Sequence, residues 1–98
     1  MDSDKKALVR GQIFSVEEGM VVVEWYHFGE NVAYEFAVQL RLDQRGQSQF
    51  AKALGLSEGL GPDALCDVLK KHFGSYFAVR EFADANAVTY ELRREMRP

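Results

Sequence analysis

Two glutamates on neighbouring predicted strands are the residues whose type and spacing could support catalysis. Glu24 lies in a segment typical of a strand, residues 20–28, and Glu35 lies in the next such segment, residues 32–42. If a two-residue turn at Gly29-Glu30 joins these strands, the two carboxylates are directly opposite each other. Like charges at that distance disfavour joint ionisation and raise one pKa, as in acid/base carboxylate pairs.

Further polar side chains are predicted on the same sheet face. Gln12 is opposite Glu24 in the pairing of the first two strands, Arg10 is diagonal to Glu24, and Tyr26 follows on the same side. A solvated sheet face on which Arg10 neutralises the carboxylates explains this cluster without catalysis. A small-ligand binder or hydrolase-like enzyme that uses Glu24, Glu35 and Arg10 is therefore the alternative hypothesis for function.

The other potentially reactive side chains have no neighbouring residues that predict catalysis or metal binding. His27 projects with Trp25 towards the predicted core, and His72 has no metal-ligand spacing around it. Cys66 has no base beside it on its helix, so a small buried side chain is the expected role. The glycine-rich residues 55–62 lack the spacing of a phosphate-binding loop. We therefore predict no metal and no cofactor.

Composition limits the class of protein. The chain has 98 residues, 47% of them hydrophobic, which suits one ordinary core and a single domain over residues 1–98. Its 15 acidic and 12 basic residues are interspersed and give a net charge of −3. Nucleic-acid binding through a strong basic field is therefore not expected, although Arg93, Arg94 and Arg97 form a small basic cluster.

Cysteine content and hydropathy indicate the compartment. A single cysteine, Cys66, excludes an intramolecular disulfide and suits a reducing environment. No apolar run approaches the roughly 18 residues that span a bilayer, and no apolar segment follows the charged first residues. We expect a small acidic protein of the cytoplasm without a membrane segment.

The first two strands are predicted to form a hairpin. Residues 7–16 and 20–28 are rich in β-branched and aromatic types, and Glu17-Glu18-Gly19 suits a three-residue turn. This turn pairs Val16 with Met20. The predicted core face of the hairpin comprises Val9, Ile13, Val21, Val23 and Trp25.

The third strand, residues 32–42, alternates regularly in hydrophobicity. Its predicted core residues are Val32, Tyr34, Phe36, Val38 and Leu40. The two-residue turn at Gly29-Glu30 is preferred because it joins apolar residues to apolar residues, whereas a three-residue turn including Asn31 mixes Tyr34 with Glu24.

Helices are predicted for the second half of the chain. Asp43 is a suitable N-cap for a helix over 44–54, which Gly55 ends. Gly61-Pro62-Asp63 begins a second helix that Gly74 stops.

Residues 75–85 fit either a strand or a helix, and Ser75 as cap with Asn86 as terminator favours a helix. A final strand is predicted over 87–94, with residues 96–98 frayed. The element order is typical of an α+β two-layer sandwich: a three-stranded antiparallel meander plus a C-terminal strand, with two or three helices on one face.

The sheet face turned away from the helices, here called the outer face, is predicted to be more apolar than a monomer of this size normally exposes. Its predicted interface residues are Phe14, Met20, Val22, Tyr26 and Phe28. Apolar patches of this kind on small domains indicate association, most often as a symmetric dimer. The leading hypothesis is therefore a non-enzymatic protein-interaction module of the inhibitor, immunity or adaptor type, which also self-associates.

Overall fold

A computed structural model describes residues 9–27, 36–57, 59–73 and 76–96 of the chain. The strands are β1 (Val9–Glu17), β2 (Met20–His27), β3 (Phe36–Leu42) and β4 (Glu91–Met96), and the helices are α1 (Gln44–Ala53), α2 (Pro62–His72) and α3 (Tyr76–Ala85). The strands form one antiparallel sheet in the order β1-β2-β3-β4. The predicted α+β class is confirmed.

The helices cover one face of this sheet. Packing of this layer produces a core that includes Val21, Val23, Trp25, Leu40, Leu42, Phe50, Leu65, Leu69, Val79 and Val88. Trp25, Phe50 and Leu40 are fully buried. Because side chains alternate along a strand, Val22, Glu24, Gln39 and Arg41 lie on the outer face.

The β1–β2 hairpin closes through a two-residue turn, so the predicted three-residue turn is wrong. Glu17 pairs with Met20, and both turn residues have positive φ, 51° at Glu18 and 79° at Gly19. These angles are typical of a type I′ turn, whose twist matches that of the paired strands. The whole hairpin is therefore shifted by one residue from the predicted register.

This one-residue shift exchanges the two faces of β1. Phe14 pairs with Val23 and packs against the core, whereas Ile13 pairs with Glu24 on the outer face and is 45% exposed. The prediction had placed Ile13 in the core and Phe14 outside. It failed because β1 has apolar residues at both parities, so hydrophobicity alone did not select the register.

The β2–β3 register also differs from the prediction. Val23 pairs with Leu40 and Glu24 with Gln39, whereas a turn at Gly29-Glu30 would pair Glu24 with Glu35. The predicted parity is correct, since apolar residues still face apolar residues, but the offset is four residues away. Residues 28–35, including the predicted turn, lie outside the described part.

Helix α1 begins as predicted at its N-cap. The Asp43 side chain accepts a hydrogen bond of 2.9 Å from the Gly46 backbone N–H. Gln47, only 8% exposed, donates through Nε2 to the carbonyl oxygens of Gly19 and Leu42 at 2.8 and 2.9 Å. These bonds attach the start of α1 to the hairpin turn and to the end of β3.

Two helices end in the same hydrogen-bonded motif. After α1, Gly55 has φ +76°, and the N–H groups of Gly55 and Leu56 donate to Lys52 and Ala51. After α3, Ala87 has φ +54°, and the N–H groups of Ala87 and Val88 donate to Asp84 and Ala83. Both are Schellman endings. The first was predicted from Gly55; the second is displaced one residue beyond the predicted terminator, Asn86.

We expect Ala87→Gly to stabilise the protein by about 1 kcal/mol, because glycine adopts positive φ without the cost imposed by a Cβ atom. Gly55→Ala, at the equivalent position of α1, should destabilise by a similar amount. Urea denaturation of both variants measures the two effects. Opposite signs at matched positions support the conformational explanation, and destabilisation in both contradicts it.

The third helix agrees with the prediction, whereas the last strand begins later than predicted. Residues 76–85 are helical, so the helix interpretation is confirmed over the strand. β4 begins at Glu91, four residues later than predicted, and extends through Met96. Val88, predicted as a strand residue, lies before β4 and is buried in the core. None of the described helices has the length and apolar character of a membrane span.

Candidate functional site

A chain of polar contacts crosses the outer face of the sheet. Gln39 Nε2 donates to Glu24 Oε2 at 2.8 Å, and Arg41 Nη1 donates to Gln39 Oε1 at 2.9 Å. At the end of the sheet, Arg41 lies 3.8 Å from Glu17 Oε1 and 3.6 Å from Glu91 Oε1. These contacts connect all four strands.

Arg41 is the centre of this network and is 6% exposed. Its Nε lies 3.6 Å from Glu91 Oε1 and has no hydrogen-bond partner. One hydrogen bond to Gln39 and two long ion pairs therefore stabilise the charge of Arg41. Glu17 and Glu91 are 50% and 61% exposed, so water weakens both ion pairs.

Arg41→Met should lower the free energy of unfolding by about 2 kcal/mol, because the Gln39 Oε1 acceptor loses its buried donor. Arg93 is a matched control. It is 50% exposed and lies at the same 3.6 Å from Glu91 Oε1. Arg93→Met should cost under about 0.5 kcal/mol. Urea denaturation tests both, and equal losses would contradict the role assigned to Arg41.

The network differs from the predicted catalytic cluster. Glu24 has the neutral Gln39 as its cross-strand neighbour, and Glu35 lies outside the described residues. Gln12, predicted beside Glu24, is on the helix-covered face, where Trp25 Nε1 donates to its Oε1. The carboxylate–carboxylate pair predicted from the Gly29-Glu30 turn is thus replaced by a carboxylate–amide pair.

The predicted interface residues do not form one exposed patch on the outer face. Val22 is on the outer face but has no exposed surface, and Met20 is half-buried there. Phe14 lies on the opposite face. The side chain of Tyr26, like that of the catalytic candidate Arg10, lies outside the description, as does Phe28. The centre of the outer face is therefore buried within the chain, contrary to the predicted apolar surface.

Gln39 and Arg41 are the residues that sequence reasoning missed. Both belong to the polar side of the alternating third strand, and that alternation was the signal that could have found them. They were overlooked because the predicted register placed Glu35, four residues earlier, beside Glu24.

Cys66 and His72 lie outside the polar network. Cys66 is 4% exposed, and burial raises the pKa of its thiol, so the thiolate nucleophile is disfavoured. Its expected role as a small buried side chain is confirmed by this exposure. His72 is exposed at the end of α2, and the side chain of His27 lies outside the description. Within the described residues, no group of three or more His, Cys, Asp or Glu side chains could hold a metal ion.

A cavity of about 530 Å³ lies between the hairpin turn and the first turns of α1 and α2. Its lining comprises Glu18, Gly19, Met20, Asp43, Gln44, Gln47, Ser48, Ala51, Leu60, Gly61 and Pro62. A smaller cavity of about 230 Å³ adjoins Arg41 and Glu91. Asp43, which lines both, is already engaged as the cap of α1.

Comparisons with protein-family models, with curated proteins and with solved structures gave no match.

Proposed function

We propose that the chain is a non-enzymatic protein-interaction module that binds a protein partner along the β1 side of its outer face. The observation that carries the proposal is the exposure of the Ile13 side chain. Ile13 is 45% exposed, and it and Leu92 are the exposed large hydrophobic side chains of the described residues. Ile13 lies on the edge strand β1, beside half-buried Ser15 and next to β2.

Burial at the centre of the outer face, together with the charged β4 side, directs the partner to this position. Val22 and Ala37, at the centre, have no exposed surface, and Gln39 is 6% exposed. A partner cannot contact side chains that are already enclosed. The β1 side presents an apolar side chain with Glu24 directly opposite it on β2 and Ser15 beside it on the same face, which is the usual composition of an apolar contact with a polar rim.

We propose that the protein acts in the cytoplasm. The single cysteine, Cys66, is free and buried, which suits a reducing compartment. The acidic balance of the chain suits association with another protein and opposes general attraction to nucleic acid.

Site-specific photocrosslinking tests the proposal. A photoreactive residue at Ser15 should form a covalent adduct with a protein in an extract of the source cells, and Ile13→Lys should abolish that adduct. The matched control position is Lys52, an exposed residue of α1. An adduct that survives Ile13→Lys, or equal adducts at Ser15 and Lys52, would overturn the proposal.

A further inference from the structure

The outer edge of β1 presents, in a regular and uncharged stretch, backbone groups that no other described strand pairs with. Glu17 and Met20 flank a two-residue turn, so they form a hydrogen-bonded pair, and every second residue of β1 back from Glu17 also points its backbone groups towards β2. Gln12, Phe14 and Val16 consequently direct their N–H and C=O groups away from the sheet. Among the described strands, none pairs with this side of β1.

The two edges of the sheet differ in charge. β4, the opposite edge, contains Glu91, Arg93, Arg94 and Glu95, and charged edge strands resist pairing with other chains. The stretch of β1 from Gln12 to Val16 carries no charge. The bulge at Arg10 interrupts the ladder only at the far end of the strand, so this stretch remains regular.

The edge is complementary to itself. In an antiparallel pair about a two-fold axis at Ile13, Gln12 of one copy pairs with Phe14 of the other, and both present outward backbone groups. The two Ile13 side chains then meet at the axis, on the same face of a continuous sheet. Residues directly opposite in such a non-hydrogen-bonded pair have Cα atoms about 4.5 Å apart.

Helix α2, which packs against β1 and β2, adds charge complementarity beside this edge. Asp63, Asp67, Lys70 and Lys71 are exposed along one side of α2. Leu65 and Leu69, on the opposite side of this helix, are buried in the core. A two-fold axis at the β1 edge makes the two α2 helices antiparallel. The acidic first half of each helix then lies beside the basic second half of the other.

We propose that the partner is a second copy of this chain, joined edge to edge through β1 with Ile13 at the two-fold axis. This inference rests on the proposed function and names its partner. The product is an eight-stranded antiparallel sheet with both helical layers on one face. The uncharged edge, the exposed Ile13 and the opposed halves of α2 each favour this occupant over an unrelated protein.

Complementary charges at position 13 provide the test. Ile13→Lys and Ile13→Glu should each raise the dimer dissociation constant at least about tenfold, because each places like charges opposite each other at the axis. An equimolar mixture of the two variants should restore the dimer as a heterodimer. Sedimentation equilibrium measures both results. Leu92→Lys, at a side chain 40% exposed on the other edge strand, is the matched control and should leave the dimer intact.

An exchange of charges tests the contact between the two α2 helices separately. Asp63→Lys with Asp67→Lys should weaken the dimer, and adding Lys70→Asp with Lys71→Asp should restore it, because the exchanged halves are again complementary. Circular dichroism and urea denaturation confirm that each variant is folded. A weakened dimer that the four-residue exchange leaves weak would overturn the antiparallel α2 arrangement.

Four outcomes decide between this inference and the proposed function. A wild-type chain that sediments as a monomer at high micromolar concentration, while Ser15 still crosslinks to a different protein in an Ile13-dependent manner, overturns the second copy alone. Failure of the mixed charge variants to associate has the same meaning. Absence of any Ile13-dependent adduct overturns both proposals. An adduct of twice the chain mass with purified protein, lost in Ile13→Lys, supports both.

Discussion

Gly46→Ala should lower the free energy of unfolding by about 3 kcal/mol, although helix propensity alone predicts a gain of about 1 kcal/mol. A Cβ atom at Gly46 would overlap the backbone carbonyl oxygen of Thr89 and lie 3.1 Å from Leu42 Cδ2. The Thr89 backbone is held in place, because its N–H donates to Gln49 Oε1 at 2.6 Å. The first turn of α1 therefore packs directly on the segment that leads into β4.

Gly59→Ala is the matched control for this prediction. The nearest atom to its added Cβ would be Ser57 Oγ at 3.8 Å, an ordinary contact. The control should change stability by under about 0.5 kcal/mol. Urea denaturation measures both variants, and a Gly46→Ala protein at least as stable as wild type would refute the close approach of α1 to Thr89.

Phe50→Ala should cost about 4 kcal/mol, a large part of the stability of a small domain. Phe50 is fully buried. Its ring stacks on Phe82 of α3 at 5.2 Å between centroids and meets Phe73, after α2, edge-on at 5.9 Å. Phe73 and Phe82 are themselves 5.7 Å apart, so the three rings join all three helices. Truncation leaves a cavity at this junction.

Phe50→Leu separates loss of volume from loss of the ring contacts. It retains most of the side-chain volume and should cost about 1 to 2 kcal/mol. Thermal and urea unfolding, with near-ultraviolet circular dichroism as a probe of aromatic packing, measure both substitutions. A loss below about 1 kcal/mol for Phe50→Ala would mean that the three rings do not form the junction of the helices.

The helices were predictable because their ends are specified by adjacent residues. Asp43 and Gly55 bound α1, and the proline at the first position of α2 is equally local. The end of α3 was missed by one residue because Ala87, a residue type without preference for positive φ, occupies the left-handed position. The cost of that conformation is offset by tertiary packing of the neighbouring Val88, which is 6% exposed.

The pairing of the strands, unlike the ends of the helices, could not be predicted from adjacent residues. For β3, regular alternation predicted which residues face the core, but any shift by an even number of residues preserves that pattern. For β1, which has apolar residues on both faces, even the parity was undetermined. The turn residues Glu18 and Gly19 decided it, and a non-glycine residue such as Glu18 with positive φ is not a strong sequence signal.

By itself, the sequence determined the α+β class, the helices α1 and α2 and the apolar side of β3, since these depend on periodicity and on caps within a few residues; for residues 75–85 it favoured a helix without excluding a strand. Only the tertiary structure decided which side chains meet across strands. It paired Glu24 with Gln39, buried Arg41, and left Ile13 on an exposed edge. The physical reason is that register is set by the sum of many cross-strand contacts and by turn geometry, neither of which a single strand contains.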